Sequence, residues 1–374
     1  MKRRKKRLWF AIVSTLLGFI APLLIVEIVL RFLPVNEGLR VLPVNQTNPI
    51  LRFTPNRTSV WSKGWDFSLV NRVRTNNYGF VSNIDYDPLA RSPLLAIIGD
   101  SYVEAAMVPY DKTSAARLAE KLRGLARVYT FASSGSPLSQ YLAYAEYERD
   151  IFHPDSLVIV VVGNDFDESL MKYKNAPGFY YFVENSDDKL VLKRVDLEVT
   201  PFRKLVRASA LGMYLTTNLN IENTLARLMS NQASSVEKST SFIGNTAATA
   251  DPTRVADSQR AVDEFLRILP EMSGLDSTKI VLAVDGIRPD LYDSSLESAQ
   301  GSYFDVMRRY FMAGARAKGF EVIDMQQEFI DHYKKHGQRF EFPNDDHWNA
   351  VGHEVFANAV ERSAVYLRFS SMKK

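Results

Sequence analysis

The chain has 374 residues with the composition of an ordinary globular protein: 46% are hydrophobic, 24% are charged and none is cysteine. This composition excludes a disordered or fibrous chain, and the lack of cysteine excludes disulfide scaffolds, thiolate catalysis and thiolate metal sites. Six of the 46 Lys and Arg residues lie at positions 2–7, which leaves 40 basic against 43 acidic side chains and a net charge of −3 for the remainder. A body of that sign indicates no nucleic-acid partner.

The N-terminal region has the pattern of a membrane anchor. Residues 8–26 contain no charged side chain and follow the basic run at 2–7. About 20 apolar residues in a helix cross a hydrocarbon core of about 30 Å, and the basic side stays in the cytoplasm. We therefore predict a cytoplasmic tail at 1–7 and a transmembrane signal anchor at 8–33. A cleaved signal peptide is the alternative, but the apolar run is long and Glu27–Pro34 offers no small-residue cleavage site.

Residues 34–90 read as a linker, and from residue 91 onward strand patterns alternate with helix patterns. The strand candidates are Leu94–Ile98, Arg127–Phe131, Ser156–Val162, Ile280–Val284 and Glu321–Asp324. The helix candidates are Thr113–Gly124, Ser136–Ile151, Ala256–Met272, Tyr303–Lys318 and Asn349–Leu367. This alternation predicts an α/β domain over 91–370 with a parallel sheet of about five strands. An insertion at about 168–255 interrupts it, with an aromatic run compatible with a small hairpin and a surface loop at Asn231–Asp257.

Small polar clusters follow the first three predicted strands. They are Gly99-Asp100-Ser101, Ser133-Ser134-Gly135 and Gly163-Asn164-Asp165, and a fourth cluster, Asp345-Asp346-His347, lies near the C-terminus. In open parallel sheets, ligands bind beyond the carboxyl ends of the strands. The clusters are therefore expected to converge on one crevice.

These residue types suffice for acyl transfer. A serine hydroxyl becomes a nucleophile when an imidazole accepts its proton, and the imidazole needs a carboxylate to hold its tautomer. We predict Ser101 as the nucleophile, His347 as the base and Asp345 as its partner, with an oxyanion hole formed by the N–H groups of Ser101 and Gly135 and the amide of Asn164. Each cluster alone is also typical of a turn or a helix cap. Their joint occurrence in this order favours the catalytic interpretation.

The same clusters resemble the sequence blocks of the SGNH (GDSL-type) hydrolase superfamily. The resemblance implies a flavodoxin-like three-layer α/β/α sandwich and ester or acetyl chemistry without a metal or cofactor. The Asp345-x-His347-Trp348-Asn349 phrase and the stretch at 74–80 are similar to a membrane-anchored branch related to the proteins that O-acetylate alginate and other exported polysaccharides. The superfamily usually has Asp three residues before His, where this chain has Asn344. Whether Asp345 or Asp346 orients the histidine therefore stays open.

The sequence thus predicts a membrane-anchored serine acyl-transfer enzyme, an O-acetyltransferase or acetylesterase, acting on a carbohydrate. The resemblance implies an exported polysaccharide as substrate, a multi-pass membrane acyltransferase as acetyl donor, and a bacterial inner-membrane location with a periplasmic domain. A metal site is not expected, because His332 and His336 have helical i,i+4 spacing but no third ligand. The alternatives are a non-catalytic polysaccharide-binding or assembly subunit of the same fold and, less favoured, a lipid esterase or thioesterase with an acyl groove at 168–255.

Overall fold

The structure is a computed structural model that describes residues 2–122, 124–221, 250–292, 299–343 and 345–372. The chain divides into two compact units. The N-terminal unit comprises Met1–Leu39, Ser59–Arg72 and Val199–Ala233, and the sheet unit comprises Arg40–Thr58, Val73–Glu198 and Ser234–Lys374.

Eleven strands lie in the described part of the chain. They are β1 (Arg57–Lys63), β2 (Leu69–Thr75), β3 (Leu94–Gly99), β4 (Arg127–Ala132), β5 (Ser156–Val161), β6 (Tyr180–Glu184), β7 (Leu190–Arg194), β8 (Ile280–Val284), β9 (Glu321–Asp324), β10 (Glu341–Phe342) and β11 (Asp345–Trp348). The α-helices described are α1 (Lys2–Leu30), α2 (Ser101–Glu104), α3 (Ser114–Leu122), α4 (Leu138–Phe152), α5 (Pro201–Val206), α6 (Ala210–Met213), α7 (Pro252–Ser273), α8 (Pro289–Tyr292), α9 (Tyr303–Ala317), α10 (Met325–His336), α11 (Ala350–Glu361) and α12 (Ala364–Ser371).

The sheet unit is built on a five-stranded sheet in the order β4-β3-β5-β8-β9, in which every neighbouring pair is parallel. Counted along the chain this is order 2-1-3-4-5, the flavodoxin-like arrangement. The three central strands are buried at every residue. Strands buried on both faces read as continuous apolar runs, which explains why the sequence pattern located them.

Helices cover both faces of this sheet, so the predicted three-layer α/β/α fold is confirmed. Alternate side chains of β3 enter opposite cores: Leu94, Ala96 and Ile98 pack on one side, Leu95 and Ile97 on the other. The first core is closed by α4, α7 and α9, and the second by α3, α10, α11 and α12. The carboxyl ends of the strands remain as the edge where loops meet.

Two elements differ from the sequence prediction. The helix predicted over Asn349–Leu367 is two helices, because the chain breaks at Ser363, whose hydroxyl caps α12 by accepting the Tyr366 N–H at 3.1 Å. The loop predicted at Asn231–Asp257 falls outside the described residues up to 249. Its last part is helical, because Asp251 caps α7 and a proline follows at the first helical position.

The insertion holds an antiparallel hairpin of β6 and β7. Phe179, Tyr181 and Phe182 are buried there, so the aromatic run forms the packed face of the hairpin.

The N-terminal unit begins with α1, of which Trp9–Leu30 is long and apolar enough to cross a membrane, with a mean hydropathy of 2.4. A signal sequence near an N-terminus has a similar length and apolar composition. Residues 34–90, predicted as a linker, include the two-stranded sheet of β1 and β2. The C-terminal end of α1 is part of the folded unit: Leu30 packs with Val35 and Met213 in a small hydrophobic cluster.

Candidate active site

Ser101 lies at the sharp turn between β3 and α2. The turn is capped by Asp100, whose Oδ1 accepts the Tyr102 N–H at 2.9 Å. Gly99 is required at the end of β3, since a Cβ there would collide with the side chain of Val103. The local sequence therefore presents the Ser101 hydroxyl, half-buried, at the carboxyl edge of the sheet.

His347 reaches this hydroxyl from the short antiparallel hairpin of β10 and β11. Its Nε2 lies 2.8 Å from Ser101 Oγ, and its Nδ1 lies 2.5 Å from Asp345 Oδ1. The same Oδ1 accepts the backbone N–H of His347 at 3.0 Å. Asp345 is buried, whereas Asp346 is exposed. The structure thus brings three predicted residues into one hydrogen-bonded row, with Asp345 and not Asp346 at the imidazole.

A buried ion pair holds the backbone beside His347. Arg288, with no exposed surface, donates to Asp285 Oδ1 at 2.5 Å and to the Asp346 carbonyl at 2.8 Å. The Tyr102 hydroxyl donates to the same carbonyl at 3.2 Å, and Trp348 Nε1 donates to Asp285 Oδ1 at 3.1 Å. Removing one partner of such a pair leaves an uncompensated buried charge. The loop after β8 therefore positions strand β11, which carries the imidazole.

Sequence reasoning missed Asp285 and Arg288. The available signal was Asp285 itself, which follows a buried strand just as Asp100 follows β3. Arg288 carried no recognisable motif.

Two further carboxyl groups are buried beside Ser101. Asp100 Oδ2 accepts from the Ser101 hydroxyl at 3.2 Å, and burial raises the Asp100 pKa to about 6 against the lowering effect of the Tyr102 N–H. Glu104 accepts the Ser134 N–H at 2.8 Å and the Ser134 hydroxyl at 2.9 Å. Burial raises the Glu104 pKa to about 7. The pKa values of both groups therefore lie near neutrality, so the charge beside Ser101 changes with pH in this range.

The two remaining predicted oxyanion donors are linked by an ion pair. Gly135, at φ +79°, has its carbonyl held by Lys174 Nζ at 2.8 Å. Lys174 also pairs with Glu168, whose Oε2 accepts from Asn164 Nδ2 at 3.0 Å. An amide nitrogen has two hydrogens, so Asn164 retains one donor beyond this bond. Lys174 and Glu168 thus connect the loops after β4 and β5.

The peptide between residues 134 and 135 is held from both sides. Glu104 binds the N–H of Ser134 before it, and Lys174 binds the carbonyl of Gly135 after it. The N–H of Gly135 belongs to the peptide in between, so its direction is set by two side chains that carry opposite charges when ionised. Neither Glu104 nor Lys174 was foreseen, because neither lies in a strand-end cluster.

Three other histidines lie in the C-terminal part of the chain. His332 and His336 have ring centroids 4.5 Å apart, and across the described ranges no group of three or more His, Cys, Asp or Glu side chains is placed to hold a metal ion. His353 is buried, and its Nδ1 accepts the Ser114 N–H at the start of α3 at 3.3 Å. Burial lowers the His353 pKa to about 3, so this ring is neutral and structural.

Comparison with known proteins gives distant structural likenesses. No family model and no curated protein matches the chain. The structure is similar to LAE5, an alpha/beta hydrolase enzyme from the metagenome of Lake Arreo, Spain, with 15% identity over 76% of this chain and 98% of that chain and a TM-score of 0.39. A lipase/acylhydrolase from Enterococcus faecalis shows 12% identity over 75% of this chain and 97% of that chain, with a TM-score of 0.39. The acetyl xylan esterase AlAXEase shows 10% identity, 71% and 97% coverage and a TM-score of 0.34.

Proposed function

We propose that the chain is a membrane-tethered serine acyl-transfer enzyme that uses Ser101, His347 and Asp345. The single observation that carries this proposal is the row of contacts from Ser101 Oγ to His347 Nε2 at 2.8 Å and from His347 Nδ1 to Asp345 at 2.5 Å. A binding module has no use for an imidazole held between a buried carboxylate and a serine hydroxyl. The non-catalytic alternative is therefore disfavoured.

The proposed reaction has two balanced half-steps. Ser101 Oγ attacks the acyl carbonyl while its proton passes to His347 Nε2, and Asp345 stabilises the imidazolium. The tetrahedral oxyanion is stabilised by the N–H groups of Ser101 and Gly135 and the amide of Asn164, and His347 returns the proton to the leaving alcohol. A second hydroxyl then attacks the acyl-serine by the reverse route. Water as acceptor gives an esterase, and a sugar hydroxyl gives an O-acetyltransferase.

Anchoring by a retained α1 is the second part of the proposal. Glu27 accepts hydrogen bonds from the Ser209 hydroxyl at 2.8 Å and from the N–H groups of Ala210 at 3.0 Å and Leu211 at 2.8 Å. Removing α1 would expose the cluster of Leu30 and take the acceptor away from the N–H groups of Ala210 and Leu211 at the start of α6. These contacts support an anchor over a cleaved signal peptide.

The finer assignment is O-acetyl transfer to an exported polysaccharide at the bacterial inner membrane, with α1 leading in from the cytoplasm and the sheet unit in the periplasm. It rests on the resemblance of the Asp345 to His353 region and the 74–80 stretch to the anchored polysaccharide-acetylating branch. The acetyl donor would be a multi-pass membrane acyltransferase, since acetyl-CoA stays in the cytoplasm.

The test uses the full chain in detergent with a chromogenic acetyl ester. Ser101→Ala and His347→Ala should abolish turnover, and intact-mass measurement should detect an acetyl adduct that disappears with Ser101. Ser92→Ala and His332→Ala, which change the same residue types away from the row, serve as matched controls. Hydrolysis that persists in folded Ser101→Ala protein refutes the mechanism. Adding an oligosaccharide acceptor then separates the outcomes: acetylated sugar indicates a transferase, and acetate alone indicates an esterase.

A further inference from the structure

An apolar groove of about 390 Å³ follows the C-terminal half of α1. Its first wall extends from Ile20 to Arg31, about 16 Å along the helix at 1.5 Å per residue. Its second wall comes from the segment around α5 and α6, including Leu205 and Leu211. Both walls belong to the N-terminal unit. Because the first wall is part of the apolar stretch Trp9–Leu30, the second wall lies beside the stretch proposed to cross the membrane.

The helix α5 has the composition of an element at a membrane surface. Phe202 and Leu205 expose 73% and 69% of their surface, which is unusual for large apolar side chains adjacent in a fold. Arg203 and Lys204, between them, are also exposed. Large apolar side chains combined with cations are typical of helices that lie in the headgroup boundary. The same unit exposes 72% of Trp65, a residue type enriched at that boundary.

The backbone of this segment is hydrogen-bonded internally, as entry into a bilayer requires. Its internal bonds are Arg203 N–H to Thr200 Oγ, Arg207 N–H to the Arg203 carbonyl, Ala208 N–H to the Leu205 carbonyl and Ser209 N–H to the Val206 carbonyl. The α1 side completes the set: Glu27 accepts the Ala210 and Leu211 N–H groups, and Arg31 donates to the Ala208 carbonyl at 3.3 Å. The backbone groups named here therefore stay paired when the segment leaves water.

We propose that residues 200–212 form a second membrane contact, in which Phe202, Leu205 and the groove are covered by the outer leaflet of an anionic bilayer. Arg203 and Lys204 bind lipid phosphates, and lipid acyl chains fill the groove. This inference rests on the proposed anchoring by α1. Its consequence is that the N-terminal unit contacts the bilayer at two places, through α1 and through residues 200–212.

Site-directed labelling tests this contact cleanly, because the natural chain has no cysteine. Phe202→Cys and Leu205→Cys, each in the full chain, would carry a polarity-sensitive fluorophore in nanodiscs of phosphatidylcholine and phosphatidylglycerol. Leu17→Cys reports the span, and Leu89→Cys, on an 87% exposed side chain of the sheet unit, reports water. Esterase turnover of each labelled variant verifies its fold.

The proposal predicts that the fluorescence emission of the probes at 202 and 205 shifts to shorter wavelength, as it does for the probe at 17. Aqueous iodide should quench none of these three probes. Replacing Arg203 and Lys204 with Gln should reduce this shift in phosphatidylglycerol nanodiscs and leave it unchanged in pure phosphatidylcholine. Water-like emission at 202 and 205, with a lipid-like signal at 17, overturns the second contact and leaves the anchor intact. Water-like emission at position 17 as well overturns the anchor, and the second contact with it.

Discussion

Replacing Glu104 with Gln removes a buried carboxylate that holds the turn of the predicted oxyanion hole. Its two oxygens accept the N–H and the hydroxyl of Ser134. In the variant the amide oxygen accepts the Ser134 N–H and the amide NH2 donates to the Ser134 hydroxyl, so both hydrogen bonds remain but lose the charge of the carboxylate. This loss is worth about 1 to 1.5 kcal/mol, which corresponds to a fall in kcat of about 5- to 12-fold if the Gly135 N–H acts only in the transition state. KM should change little.

The free energy of unfolding of the same variant should not fall with its turnover. Burial raises the Glu104 pKa from 4.5 to about 7, so the folded protein binds this proton more tightly than the unfolded chain. The stabilisation from the protonated carboxyl is complete below pH 4.5 and is lost as the pH rises through 7, a change of about 3 kcal/mol. Glu104→Gln mimics the protonated form. At pH 8 its free energy of unfolding should therefore equal or exceed that of the wild type, although its turnover is slower.

The assay is acetyl-ester hydrolysis between pH 6 and 8, with denaturant unfolding of the same samples. The ratio of wild-type to variant kcat should be largest at pH 8 and should narrow toward pH 6, where the wild-type carboxyl is itself protonated. Glu148→Gln is the matched control, a fully buried carboxyl in the last turn of α4 whose oxygens have no hydrogen-bond partner among the described residues. A kcat ratio independent of pH, or an equal loss in Glu148→Gln, would refute the positioning role of Glu104.

Three further changes test the site and its surroundings. Asp345→Asn should lower kcat about 10³- to 10⁴-fold through the wrong imidazole tautomer, whereas Asp346→Asn, at an exposed carboxylate, should leave it nearly unchanged; equal losses would contradict the observed pairing. Lys174→Met should lower kcat about tenfold by releasing the Gly135 carbonyl, while Lys172→Met, which removes an exposed lysine that pairs with Asp257, should not. His353→Gln should have a lower free energy of unfolding than the wild type at pH 7, and this difference should shrink as the pH falls toward 4. The reason is that the folded-state pKa of about 3 makes the wild type lose stability below pH 6.5. A difference that does not change with pH would contradict this.

The sequence located the strands well because burial on both faces leaves uninterrupted apolar runs, as in β5. The convergence of the strand-end clusters was also predictable, because residues that follow parallel strands lie along one edge of the sheet. This reasoning predicted Asp345 as the partner of the imidazole but left Asp346 open. Asp345 and Asp346 are adjacent in sequence, and only the β10–β11 hairpin decides which one is buried.

The supporting residues were beyond sequence reasoning for a different reason. Lys174 and Glu168 lie in the insertion, outside the strand-end clusters, and their relation to Gly135 exists only in three dimensions. Arg288 looks like a surface arginine in sequence, yet it is fully buried. Charged residues are almost never buried unless paired, so pattern reasoning places them outside by default.

The distance along the chain between the proposed nucleophile and its proposed base has a consequence for biosynthesis. Ser101 precedes His347 by 246 residues. A ribosome that adds about 5–20 residues per second needs roughly 10 to 50 s to cover that interval. During this time the serine is present without the imidazole that is proposed to take its proton, because the hairpin that carries it has not been made. The proposed mechanism therefore implies a nascent polypeptide that is inert toward esters until its synthesis is almost complete and that becomes reactive only when the last hairpin folds onto the sheet.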